Sequence, residues 1–267
     1  MQDVIVIGGG AAGFAAAVRA AQRGGKVTLI EEAELGGNCL NRACIPTKTL
    51  LESAVLLERI RRAGELGITA QDVAFDLEKI HQRKDTIVEA LRLGTEALLN
   101  DHGVQIRRGQ ARLVAPDTVA VGEERIQGRN IIIATGSVAA EPPIEGADLP
   151  GVMGGEEAVE LREIPERLVV IGSGPFELEF AYLYCVLGSQ VTIVAAGRQL
   201  LPCMDHEIGQ RMGQALRERG IALRMRAEVE AITQADDGAL VVHLAGDKGE
   251  IAADKVLVIH RVPRSTG

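Results

Sequence analysis

Two stretches of this chain repeat one pattern, and the repeat limits the possible folds more than any other feature. DVIVIGGGAAGFAAAVRAAQRGGKVTLIEE opens the sequence, and LVVIGSGPFELEFAYLYCVLGSQVTIVAA begins near Leu168. A constant shift lays Gly8 on Gly172, Gly10 on Gly174, Val27 on Val191 and Ile30 on Val194. Each copy reads as a short apolar strand, a tight glycine turn, a helix and a second apolar strand. Such a βαβ unit points the free N–H groups of its helix at a pyrophosphate. Two copies in register predict an α/β chain of two Rossmann-like dinucleotide-binding domains, each a parallel sheet with helices and a β-meander. The competing reading of either copy is an ordinary βαβ turn without a ligand.

Between the copies, Leu50, Leu51, Val55 and residues 57–60 give one helix an apolar face, with Glu58 and Arg62 spaced i,i+4. Ile80, Ile87, Val88, Leu91 and Leu98 mark a second helix ending near Gly103. Both stripes suit core or interface packing. Alternating segments over residues 104–121 read as a β-meander turning at Pro116-Asp117 and Gly122, and RNIIIATGS as a buried strand ending in a glycine turn. EPPIEGADLPG is the best linker, which divides the chain into residues 1–148 and 149–267.

In the first copy Gly8, Gly10 and Gly13 fill all three glycine positions of the dinucleotide fingerprint. Glu31 ends the second strand, where an acid can accept hydrogen bonds from an adenosine ribose. These residues alone fit NAD as well as FAD. Shortly after comes GGNCLNRACIPTK, with Cys39 and Cys44 just before a helix. A helix start stabilises a thiolate and makes a cysteine nucleophilic near neutral pH. Thiols this close cycle between dithiol and disulfide. A structural bridge suits secreted chains, and zinc would want a second ligand pair.

Together with Gly36, Gly37, Leu40, Asn41, Ile45, Pro46 and Lys48, the two cysteines resemble the active-disulfide motif of the class I pyridine nucleotide-disulfide oxidoreductases. The Leu-Asn after Cys39 and the Ile-Pro after Cys44 are most similar to the dihydrolipoamide dehydrogenase branch. The resemblance implies FAD in the first domain and NAD or NADP in the second. It implies that Glu31 holds the ribose and that Gly37, Asn38, Ala111, Ala134, Thr135, Gly136 and Ser137 line the flavin. It also implies that Lys48 sits near the flavin and pairs with Glu179. Cys39 would be the exposed interchange thiol, and Cys44, nearer the flavin, would pass electrons to it.

The second copy departs from that pattern. Glu177 stands where the third glycine belongs, crowding the helix and opposing a pyrophosphate by about 1–3 kcal/mol of like-charge repulsion. Ala195 occupies the place of Glu31. Arg198 either suits a 2′-phosphate or is a plain surface arginine. Gly172 and Gly174 remain. The resemblance covers the flavin and nicotinamide domains only; the relatives' second flavin segment and their dimer-interface domain, with its His-Glu pair, have no counterpart in it.

The expected activity is therefore an FAD-dependent disulfide oxidoreductase similar to dihydrolipoamide dehydrogenase, read as truncated, acting on a small dithiol, disulfide or lipoyl group. Relatives are homodimers. Two alternatives stand: a catalytically impaired nucleotide-binding or regulatory protein, and an enzyme similar to glutathione or mercuric reductase. A net charge of −8 without a Lys/Arg cluster argues against nucleic acid. No apolar run reaches the ~18 residues of a membrane span. The first strand starts close to Met1, leaving no room for a signal peptide, so a cytoplasmic location is expected. The five histidines show no metal spacing. Cys185 and Cys203 read as structural.

Overall fold

The computed structural model describes residues 1–246 and 248–263. Its described residues form two compact units: 1–46, 82–138 and 262–263, and 47–81 with 139–261.

In the first unit β1 (Gln2–Ile7), α1 (Ala11–Gln22) and β2 (Val27–Glu31) make the first βαβ element. Alanine-rich α1 has high intrinsic helix propensity and stops where Gly24 turns to φ 85°. The chain continues through α2 (Gly37–Asn41), through α3 (Cys44–Arg61), which passes into the second unit, and through α4 (Leu77–Asp101), which returns to the first. It then forms β3 (Gln105–Arg108), β4 (Ala111–Ala115), β5 (Thr118–Val121), β6 (Glu124–Ile133) and β7 (Ser137–Ala139). The sheet runs β3-β2-β1-β6-β5-β4, parallel from β3 to β6 and antiparallel from β6 to β4.

Successive residues of β1 point to opposite faces, and both faces are buried towards its carboxyl end, so the strand is apolar from Val4 to Ile7. Val6 joins Ala17, Val27, Leu29, Leu35, Leu99 and Val104 on the helix side. Ile5 and Ile7 join Ile30, Val119 and Ile126 on the other. Each of these Val, Leu and Ile side chains contributes roughly 1.5–3 kcal/mol relative to exposure.

Three expectations change here. Residues 105–108 are not part of the meander: β3 is a fourth parallel strand beside β2, because Ile106 packs into the helix-side core. The strand over residues 129–133 forms, yet Ile132 and Ile133 are 37% and 50% exposed. They lie at the carboxyl end of the sheet, where Ala134 N donates to Ile7 O beside the first glycine turn. Leu91 and Leu98 are likewise exposed, while Leu99 is buried, so only the last turns of α4 meet this core.

The second unit contains β8 (Val152–Met153), α5 (Gly155–Glu160), β9 (Arg167–Ile171), α6 (Pro175–Leu187), β10 (Gln190–Ala195), α7 (His206–Glu218) and β11 (Ala222–Met225). After them come β12 (Val229–Gln234), β13 (Leu240–Leu244), β14 (Glu250–Ala253) and β15 (Lys255–Val258). Its main sheet, β11-β10-β9-β15-β8, is wholly parallel and repeats the order β3-β2-β1-β6 of the first. A separate antiparallel sheet, β12-β13-β14, covers one face through Val169, Val194, Val242 and Val256. The other face packs Leu168, Val170 and Ile193 against Leu178 and Phe180 of α6 and against Leu50, Ala54 and Leu57 of α3. Those α3 positions, spaced i, i+4, i+7, make the buried stripe of that helix. Among the described residues no helix is long and apolar enough to cross a membrane.

Candidate active site

The first glycine turn joins β1 to α1. Gly8 takes φ 102° and donates its N–H to Ile30 O at 2.8 Å. A β-carbon on Gly8 would run into the carbonyl of Ala134, and one on Gly13 into the carbonyl of Gly8, so both positions require glycine. Over Gly10, by contrast, a β-carbon would meet only Gly37 Cα, at 3.7 Å. The turn therefore leaves open space at the amino end of α1. Glu31 reaches it from the end of β2, accepting hydrogen bonds from Gly9 N at 2.5 Å and Ala33 N at 2.9 Å. Ala134 and Thr135 border Gly8 from the end of β6, Gly136 follows at φ 72°, and Ser137 begins β7. Gly109 donates to Glu31 O at 2.9 Å, which brings Ala111 to the same end of the sheet.

The cysteine segment is docked onto this turn. Gly36 N donates to Gly9 O at 2.9 Å, and a β-carbon on Gly37 would come within 2.6 Å of Gly10 Cα. Gly36 and Gly37 take φ 94° and 61°, which only glycine does without strain. Asn38 O accepts from Arg42 N and Ala43 N, both at 2.9 Å, closing α2. Asn41 Nδ2 donates to Leu35 O and Gly37 O, both at 2.9 Å, which ties α2 to the loop before it. Cys39 in α2 and Cys44, the first residue of α3, form a disulfide with a Cα–Cα distance of 4.6 Å. Cys39 is exposed and Cys44 half-buried. Pro46 falls in the first turn of α3, where its missing N–H has no partner to lose. Cys44 thus leaves any broken disulfide at the positive end of an 18-residue helix.

The second glycine turn keeps the backbone of the first. Gly172, at φ 132°, donates to Val194 O at 2.8 Å, matching Gly8 to Ile30. Leu201 N donates to Ser173 O at 2.8 Å, matching Gly36 to Gly9. The opening of the helix is slacker: Leu178 N to Gly174 O is 3.2 Å against 2.8 Å for Phe14 N to Gly10 O. Glu177 accounts for it, because its β-carbon occupies the position that Gly13 leaves bare. The rest of that side chain folds back over the turn. A β-carbon on Gly174 would lie 2.7 Å from Glu177 Oε2, and one on Gly172 would lie 2.8 Å from Glu177 Cγ. Burial pushes the Glu177 carboxyl up from the ordinary range, against the opposing pull of the N–H groups of Glu177 and Gly174. Ala195 is buried at the end of β10 and carries no acid, and Arg198 is exposed in the loop beyond.

In this second unit Lys48 Nζ sits 2.7 Å from Glu179 Oε2, the partner expected for it. The side chains are 52% and 26% exposed. Sequence reasoning missed Phe176, whose ring centroid lies 5.4 Å from Lys48 Nζ. Its spacing of three from Glu179 on α6 was the available signal. Cys185 is half-buried, its Sγ directed at Arg219 O at 3.3 Å, and burial raises its pKa. Cys203 is exposed and is not part of a core. Among the described residues no cluster of His, Cys, Asp or Glu could hold a metal ion.

Known proteins are similar to this chain in sequence and in fold. The dihydrolipoyl dehydrogenase of Acholeplasma laidlawii is 36% identical over 261 residues, covering 96% of this chain and 77% of that protein. That of Pseudomonas aeruginosa is 38% identical over 275 residues, covering 99% of this chain and 58% of its own length. The solved structure of the HOCl-induced flavoprotein disulfide reductase RclA from Escherichia coli superposes with a TM-score of 0.83 at 32% identity. That match covers 98% of this chain and 57% of RclA. The chain thus spans little more than half of several of the relatives it matches. The family model described as pyridine nucleotide-disulphide oxidoreductase matches residues 2–265, so the chain belongs to the pyridine nucleotide-disulphide oxidoreductases.

Proposed function

We propose that this chain performs the flavin–disulfide part of an FAD-dependent disulfide oxidoreductase reaction on a dithiol or disulfide of the dihydrolipoyl type. The observation behind this reading is the Cys39–Cys44 disulfide held by the loop that packs on the first glycine turn. In this reading residues 1–148 are the flavin-binding part, and Gly8, Gly10, Gly13, Glu31, Gly37, Asn38, Ala111, Ala134, Thr135, Gly136 and Ser137 hold FAD. The open space over Gly10, the Glu31 carboxylate at its edge and the exposed Ile132 and Ile133 nearby suit a dinucleotide with a flat apolar ring.

A substrate thiolate attacks Cys39, the exposed sulfur, and Cys44 leaves as a thiolate. The second substrate thiolate then attacks its own sulfur in the mixed disulfide, releasing Cys39 as a thiolate and the substrate as a disulfide. The helix start at Cys44 favours the leaving anion. Lys48, paired with Glu179, supplies a fixed positive charge. FAD, when bound, is a two-electron partner for the resulting dithiol. The family also exchanges a hydride with NAD or NADP, assigned by resemblance to residues 149–267. That coenzyme does not fit the second turn as it stands, because the Glu177 side chain fills it.

Reconstitution with FAD followed by dithiol titration under anaerobic conditions tests the proposal. A yellow protein whose spectrum gains a long-wavelength band, lost in Cys44→Ser, is the expected result. A colourless protein that retains no flavin favours the rival reading as a nucleotide-binding or regulatory protein, to which Glu177 and Ala195 lend weight. Homodimer assembly belongs to the proposal and is read by light scattering. So does a cytoplasmic location, suited to a cycling thiol pair and read by cell fractionation.

A further inference from the structure

We propose that the second nucleotide turn is closed to pyridine dinucleotides by the chain's own Glu177, whose carboxylate stands where a pyrophosphate oxygen would bind. This rests on the family membership and the geometry of the second unit, and needs no flavin.

The two turns are a controlled comparison within one molecule. Their backbones correspond bond for bond: Gly8 to Ile30 with Gly172 to Val194, and Gly36 to Gly9 with Leu201 to Ser173. The strand order around them is the same. What differs is the occupancy of the cradle. Over Gly10 the nearest atom to an added β-carbon is Gly37 Cα at 3.7 Å, which leaves room for phosphate. Over Gly174 the nearest atom is Glu177 Oε2 at 2.7 Å, with Glu177 Cδ at 3.6 Å behind it. The carboxylate thus folds over Gly174 at the start of α6, the end of the helix an incoming anion would use. A dinucleotide must therefore displace a covalently held anion, or approach it and meet like-charge repulsion in a half-buried site. The remaining purchase is missing as well, because Ala195 offers no acceptor to a ribose where Glu31 does in the first copy.

The test titrates NADH, NADPH and ADP-ribose into the full chain, following nicotinamide fluorescence and the heat of binding. Wild type is expected to bind each ligand at least about tenfold more weakly than Glu177→Gly, a difference of about 1.4 kcal/mol. Adding Ala195→Glu to that variant should strengthen NADH further and leave NADPH behind. Glu177→Gln keeps the bulk without the charge and serves if the glycine variant fails to fold; it should bind more tightly than wild type and more weakly than Glu177→Gly. Wild-type binding equal to that of Glu177→Gly, or to that of Glu177→Gln where only the latter folds, would overturn the inference. Flavin content and dithiol response of the same samples are read independently, so failure of the flavin–disulfide reading leaves these titrations interpretable.

Discussion

Glu177 and Gly37 show how single side chains, or their absence, decide what each turn can hold. Glu177 titrates above the ordinary carboxylate range because burial penalises its charge. A raised folded pKa means its contribution to stability is fully present below the unfolded value and lost as pH rises through the folded one. The Glu177→Gln variant, which never ionises, should therefore gain on wild type as pH climbs above the ordinary glutamate value. Denaturant unfolding at several pH values measures this, and a constant difference would contradict it. Gly37 tests the opposite case. A side chain there adopts φ 61° and strikes Gly10 Cα, so Gly37→Ala should destabilise by roughly 1–3 kcal/mol and weaken flavin retention. That Glu177 breaks the glycine pattern was legible in the sequence. Where its carboxylate goes was not, since the choice between solvent and cradle belongs to a rotamer fixed by packing.

At the scale of elements, helix contacts hold the second unit together. Glu58 on α3 accepts from Tyr182 Oη on α6 at 2.9 Å and from Arg219 Nε, just past α7, at 2.8 Å. The Arg219–Glu58 pair is only 28% and 18% exposed. Burial and the Glu58 hydrogen bond push the Tyr182 phenol up to about 12. Glu58→Ala leaves two partly buried donors unpaired and should cost roughly 2–4 kcal/mol in urea unfolding. The sequence showed Glu58 only as half of an i,i+4 pair with Arg62. In the structure Arg62 turns to Glu65 at 2.9 Å, and Glu58 reaches other helices instead. Strand pairing was similarly hard to read: residues 105–108 alternate as a meander strand would, yet they pair in parallel with β2. Strands this short do not declare their neighbours.

Across the whole molecule the repeat was the most legible feature, because glycine spacing and strand length survive translation into structure almost unchanged. Ligand occupancy was less so, since two turns with one backbone differ in what fills them. Ligands that bind only the folded state stabilise it by mass action, by about 2.7 kcal/mol at a hundred times Kd. FAD is therefore expected to raise the melting temperature of wild type, whereas at equal concentration NADH should raise it more in Glu177→Gly than in wild type. Melting curves in the presence of each ligand decide this, and a NADH-dependent rise as large in wild type as in Glu177→Gly would count against a closed second turn.

A carboxylate tethered two residues into α6 has a further consequence for such a site. An occupant tied to its own backbone competes at a local concentration in the millimolar range or above, which no cell can dilute or wash away. Swings in the nicotinamide pool would then leave this half of the molecule unmoved. The redox poise of the chain would be set by whatever meets the sulfur pair, insulated from the ratio of reduced to oxidised nicotinamide around it.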